Sequence, residues 1–146
     1  MAGAAMNKNV TFLIATLALT ACNPSSEQAP LSQAPLAGAA IGGPFTLTDQ
    51  DGKQRSYAEF DGKYRIVYFG YTFCPDVCPL DNTRNADAID LLESRGYDVT
   101  PVFITVDPTR DTQALLADYA ENFEGLLALT GSQAQTDAAA KTWRAC

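Results

Sequence analysis

Apolar positions along this chain fall into three regimes: a nearly unbroken run over residues 10–19, a stretch with no period over 23–40, and short bursts of two alternating periods from residue 45 onward. The third regime predicts the folded part. Phe45-Thr46-Leu47-Thr48 alternates apolar and polar, and Asp51-Gly52 is a turn signal, so residues 45–56 are predicted to form a β-hairpin. Residues 57–60 form a short turn before Asp61-Gly62. Residues 64–68 read as a strand. They belong to an apolar run, 65–71, that is rich in β-branched and aromatic side chains and reads as buried. Residues 80–95 carry Ala86, Ile89, Leu91 and Leu92 at helical spacing and stop at Gly96. Residues 99–106 form a second buried strand, ending at Asp107-Pro108. Residues 112–122 are helical, capped by Thr112 or Asp111, with Leu115, Leu116 and Tyr119 on one face. A short strand at 126–129 stops at Gly131, and 132–144 is a third helix with Ala138, Ala139 and Trp143 inward. Alternation of strand and helix implies parallel pairing and an α/β fold.

The first regime has other chemistry. Lys8 supplies a positive flank, the apolar core is about half the length needed to cross a bilayer, and Leu19-Thr20-Ala21-Cys22 closes it. Residues 1–22 therefore read as a secretory signal of the lipoprotein kind, with Cys22 as the lipidated residue. Residues 23–41, built from Pro, Ala, Ser and Gln with Gln-Ala-Pro-Leu nearly repeated, are expected to be a flexible tether. Residues 42–146 are the folded domain. The expected location is the periplasmic side of a bacterial envelope membrane, held by the lipid. That compartment is oxidising, so exported thiols there are paired, metal-bound or kept reduced by partners.

Charge narrows the partners. Seventeen acidic against ten basic residues and no histidine give a net charge of −7, which argues against nucleic acid and against a basic membrane-binding patch.

Cys74 and Cys78 lie four apart at the end of the first central strand. Pro75 between them predicts a loop over 74–77, and Pro79 suits the first helical position, which would put Cys78 near the helix N-cap. There the positive helix end raises the thiolate fraction. A thiolate pair suits Cu(I), Zn(II) or redox exchange, and a structural disulfide or two buried free thiols are the plainer alternatives. Asp76 reads as a solvated loop carboxylate, and Asp107 as a loop or cap residue.

The segment F-G-Y-T-F-C-P-D-V-C-P at 69–79 resembles the Sco/SenC proteins, thioredoxin-like copper-binding factors of cytochrome c oxidase assembly. F-I-T-V-D-P-T-R-D at 103–111, Leu129-Thr130-Gly131, and G-P-F-T-L-T-D-Q-D-G at 43–52 are similar to motifs of that family. The resemblance implies a thioredoxin-like fold, with Cys74 and Cys78 as copper ligands. It also implies delivery of copper to the Cu(A) site of cytochrome c oxidase subunit II, with a copper-donor chaperone or a thioredoxin-like reductant as further partner. A second implied reading is a thiol–disulfide oxidoreductase that keeps the oxidase cysteines reduced, using Cys74 and Cys78 as its redox pair.

The family's third ligand is a histidine in a later segment, and this sequence has none. The expectation is a domain lacking the family's final strands and helix, with Cu(I) retained by two thiolates and Cu(II) disfavoured for want of a nitrogen donor. Such a domain would carry an open sheet edge beside the 65–71 strand. Cys146 is a fourth thiol at the last position.

Overall fold

The computed structural model describes residues 31–33 and 36–145. The signal segment, Cys22, most of the tether and Cys146 lie outside the described residues. The chain divides into two units, residues 1–39 and 40–146. The described part of the first holds a single 3-10 turn, Leu31–Gln33.

The second unit holds one sheet of five strands, in the order β2-β1-β5-β4-β3. The hairpin is β1 (Thr46–Asp49) and β2 (Gln54–Ser56), paired antiparallel with Leu47 opposite Arg55. Gly52 at φ +82° makes its turn, a conformation that favours glycine. A 3-10 turn, Tyr57–Phe60, leads into β3 (Tyr64–Gly70). Helix α1 (Val77–Glu93), β4 (Val99–Thr105), α2 (Gln113–Ala120), β5 (Leu127–Thr130) and α3 (Gln133–Thr142) follow. Strands β3, β4 and β5 are parallel, and β1 closes antiparallel on β5. Among the described residues β3 pairs only with β4.

Period-two alternation sorts the strand side chains into two cores. Val102 and Ile104 of β4, Leu129 of β5 and Leu47 of β1 face Phe45, Phe60 and Ala139, with Trp143 against them. Phe103 of β4 and Ala128 of β5 face the opposite way, onto Leu116, with Tyr68 and Tyr119 beside them. Central strands buried on both faces read as continuous apolar runs, which is how 99–106 reads.

Several sequence expectations shift. α1 begins at Val77, three residues before the predicted start, because Asp76 takes the N-cap position and Pro79 fits inside the first turn, where backbone N–H groups have no intrahelical partner. Leu91 is 53% exposed, and Ala138 faces solvent, so the helical period placed both on the wrong side. α2 and α3 each start one residue later than predicted, behind the N-caps Thr112 and Ser132, which accept a backbone N–H (Leu115 at 3.3 Å, Gln135 at 3.4 Å), and each ends two residues earlier.

Candidate metal centre

The site is built where β3 stops. Gly70 ends the strand, and its carbonyl accepts the N–H of Val106 at 2.8 Å, carrying the sheet one bond further. The chain then turns through 71–74, closed by the Cys74 N–H on the Tyr71 carbonyl at 3.3 Å. Helix α1 starts at once, so strand, turn and helix dipole converge on two sulfurs.

Gly70 is required by close approach. A Cβ there would lie 2.8 Å from a Tyr68 ring carbon, 2.9 Å from Phe103 and 3.2 Å from the Cys78 sulfur. The missing side chain is the space into which Cys78, Tyr68 and Phe103 pack.

Both thiols are free, and their surroundings differ. Cys78 is 5% exposed, in the first turn of α1. Cys74 is half-buried at the loop tip, and its Sγ accepts the Cys78 N–H at 3.3 Å. The Cys78 thiol and the N–H groups of Cys78, Asp76 and Val77 lower the Cys74 pKa from 9.0 to about 7. Burial pushes the Cys78 thiol up, and sharing a proton with Cys74 pushes it further. The expectation that Cys78 would receive the helix N-terminus is thereby corrected. Cys78 lies inside the helix and cannot face the helix's own first amides, whereas Cys74 precedes it and is wrapped by them.

The flanking residues follow from the same turn. Burial raises the Tyr68 hydroxyl pKa, as does the neighbouring Cys78 thiol. That hydroxyl donates to Asp81 at 3.2 Å. The Cys74 thiolate raises the Tyr71 hydroxyl. Asp76 is exposed, as expected. Asp107 accepts from Thr109 at 2.8 Å and from Arg110, whose guanidinium lies 5.8 Å from the Tyr71 ring centre and 5.4 Å from that of Phe73. Asp107 is a loop residue, as expected, and its pairing with Arg110 accompanies the placement of that guanidinium beside the aromatic residues on either side of Thr72.

Asp111 is the residue that sequence reasoning misplaced. It was a candidate helix cap, and the cap is Thr112. Asp111 is instead 1% exposed, and its carboxylate accepts the Thr72 N–H and the hydroxyls of Thr72 and Thr105. Its contact to Thr72 spans 39 positions, and no local pattern signals it. Farther back, Asn82 of α1, 3% exposed, donates to the Tyr119 hydroxyl of α2 at 2.8 Å.

Chemically, the arrangement offers two soft sulfur donors, one poised as thiolate. Among the described residues, no group of three or more His, Cys, Asp or Glu side chains could hold a metal. The donor set thus fits a soft ion of low coordination number, or dithiol–disulfide exchange.

The SCO1/SenC family model matches residues 33–146. Protein SenC of Rhodobacter capsulatus is 51% identical over 110 residues, covering 75% of this chain and 50% of that protein. The crystal structure of Arabidopsis thaliana ScoI with copper bound superposes with a TM-score of 0.69 at 46% identity, over 72% of this chain and 66% of that one. BsSco, described as a Sco protein with a disulfide switch, superposes at 0.62 with 28% identity, over 71% of this chain and 64% of that one. The chain spans half or less of the curated relatives it matches (50%, 35% and 36% for three of them). The α/β fold is that of the thioredoxin-like Sco structures. Motifs, fold and thiol pair agree: this chain belongs to the SCO1/SenC family.

Proposed function

We propose that this protein is a copper-binding chaperone of cytochrome c oxidase assembly, carrying Cu(I) as cargo between Cys74 and Cys78. The carrying observation is the pairing of a half-buried, amide-stabilised Cys74 sulfur, in the turn before α1, with the buried Cys78 thiol of the first helix turn. Two thiolates satisfy Cu(I) in near-linear geometry. Solved relatives from Arabidopsis thaliana and yeast hold copper. Cys74, at the rim, meets an incoming or departing ligand first, and Cys78 closes the site from below. The acceptor is the Cu(A) site of oxidase subunit II, reached from a lipid anchor at Cys22 on the periplasmic face of the membrane, with a copper-donor chaperone upstream. The test is Cu(I) retention against a competing chelator under reducing conditions. One ion per chain should be held by the wild type and lost in Cys74→Ser/Cys78→Ser. Equal retention by that double variant would remove the reading.

A second reading is favoured by the inequality of the two thiols and by the disulfide switch described for BsSco. The Cys74 thiolate attacks a partner disulfide, forming a mixed disulfide and releasing one partner thiolate. Cys78 then gives up its proton and attacks the Cys74 sulfur, leaving the Cys74–Cys78 disulfide and a second partner thiol. Reduction of oxidase cysteines before metal loading would use this step, and an insulin-type disulfide reduction assay separates it from copper carriage.

A further inference from the structure

The cysteine turn is held from behind by a buried carboxylate. Asp111 is 1% exposed and Thr105 is fully buried. The Thr72 N–H lies 3.2 and 3.1 Å from the two Asp111 oxygens, the Thr72 hydroxyl donates at 2.6 Å, and the Thr105 hydroxyl at 2.5 Å. Thr105 also accepts the Asp107 N–H at 3.0 Å, and the Asp111 N–H returns to the Asp107 carbonyl at 2.9 Å. The end of β4, the loop after it and the cysteine turn are thus joined at one side chain.

We propose that Asp111 is the positioning residue of the thiol site, its carboxylate latching Thr72 so that the Cys74 sulfur is held against the first turn of α1. A buried carboxylate is tolerated only when its oxygens are bonded. Three of the contacts end on Thr72 and one on Thr105, so movement of Thr72 out of the turn would strip most of the bonding from the charge. Thr72 lies two residues before Cys74, and the turn between them is closed by the Cys74 N–H on Tyr71. Displacement at Thr72 therefore moves the Cys74 sulfur directly. A carboxylate that merely stabilised the fold could bond any donor; this one bonds the residue that opens the cysteine turn. Partners that orient a metal-ligating side chain are typically worth about 10–100-fold in metal affinity or activity.

The assignment rests on the reading of Cys74 and Cys78 as the working pair, and it is tested without copper. The full chain, reduced and metal-free, is labelled with iodoacetamide at neutral pH, and the two cysteines are read separately by peptide mass spectrometry. Asp111→Ala should lower the Cys74:Cys78 labelling ratio by about tenfold while circular dichroism shows a folded domain. Asp111→Asn, which retains one oxygen acceptor, should fall between. Leu129→Ala destabilises the opposite core and should leave the ratio alone, which a merely structural role for Asp111 would not distinguish. A folded Asp111→Ala with the wild-type ratio overturns the proposal. Should that variant fail to fold, Thr72→Val removes one donor at the same carboxylate and decides the matter by the same ratio. Loss of Cu(I) binding in the wild type would overturn the copper reading and leave this result standing; an unchanged ratio would do the reverse.

Discussion

The backbone N–H of Cys78 donates to the sulfur of Cys74 at 3.3 Å. One cysteine thus supplies part of the environment that makes the other a thiolate. The surroundings lower the pKa of the half-buried member and raise that of the buried one.

With the Cys74 pKa lowered from 9.0 to about 7, its alkylation rate should rise through an inflection near neutrality, while Cys78 labels more slowly there. The sign for stability is definite. A depressed thiol contributes stability that is present above the ordinary value and lost as pH falls through the folded value. The upward shift of Cys78 works in the opposite direction. Reactivity is therefore the cleaner observable. A Cys74 inflection at or above that of a free thiol would contradict the helix-amide account.

Gly70→Ala is predicted to harm fold and site together. The new methyl would press on Tyr68, Phe103 and the Cys78 sulfur at 2.8–3.2 Å. Overpacking of this kind costs about 1–3 kcal/mol. For a domain near a hundred residues each kcal/mol lowers the melting temperature by roughly 4–8 °C. Thermal denaturation measures this, and an unchanged melting temperature would mean that the three side chains have free room to move.

Tyr119→Phe tests the strut between α1 and α2. It removes the acceptor of the Asn82 side chain, which is 3% exposed. A buried donor left without a partner costs about 1–3 kcal/mol. Denaturant unfolding should show the loss, and Asn82→Leu in the same background should restore part of it by removing the orphaned amide. No recovery in the double variant would place the loss elsewhere, in packing against Phe103 and Phe123.

Acid should weaken the hairpin through Asp49. Burial raises the pKa of this carboxyl, but the hydrogen bond from Arg55 and the N–H groups of Lys53 and Asp51 more than offset that, leaving it below its ordinary 3.8. A depressed carboxylate contributes stability that is present above the unfolded value and lost as pH falls through the folded one. Unfolding below pH 3.8 should therefore carry an Asp49 contribution. In Asp49→Asn the protein should be weaker at neutral pH and less sensitive to acid over that window. Parallel acid curves for the two proteins would remove Asp49 from the transition.

Read alone, the sequence determined the order and type of the elements. Alternation at 45–48, continuous apolar runs at 65–71 and 99–106, and a cap residue such as Thr112 act through neighbours a few positions away. It also singled out Cys74 and Cys78 as the candidate pair, because two cysteines at the end of a strand and start of a helix are a local pattern. Side chains whose facing depends on distant neighbours were less legible, as Leu91 and Ala138 show. How the two sulfurs differ is set by the fold. Helix α1 begins before Cys78, so its free amides close on Cys74, and a shift of three residues in the helix start reverses which thiol is favoured as thiolate. The role of Asp111 was equally hidden. Its partner Thr72 is 39 positions away, and the sheet brings them together by setting β3 beside β4 in parallel register. Contacts across parallel strands join segments with no periodic relation in the chain, and for that reason they belong to the fold.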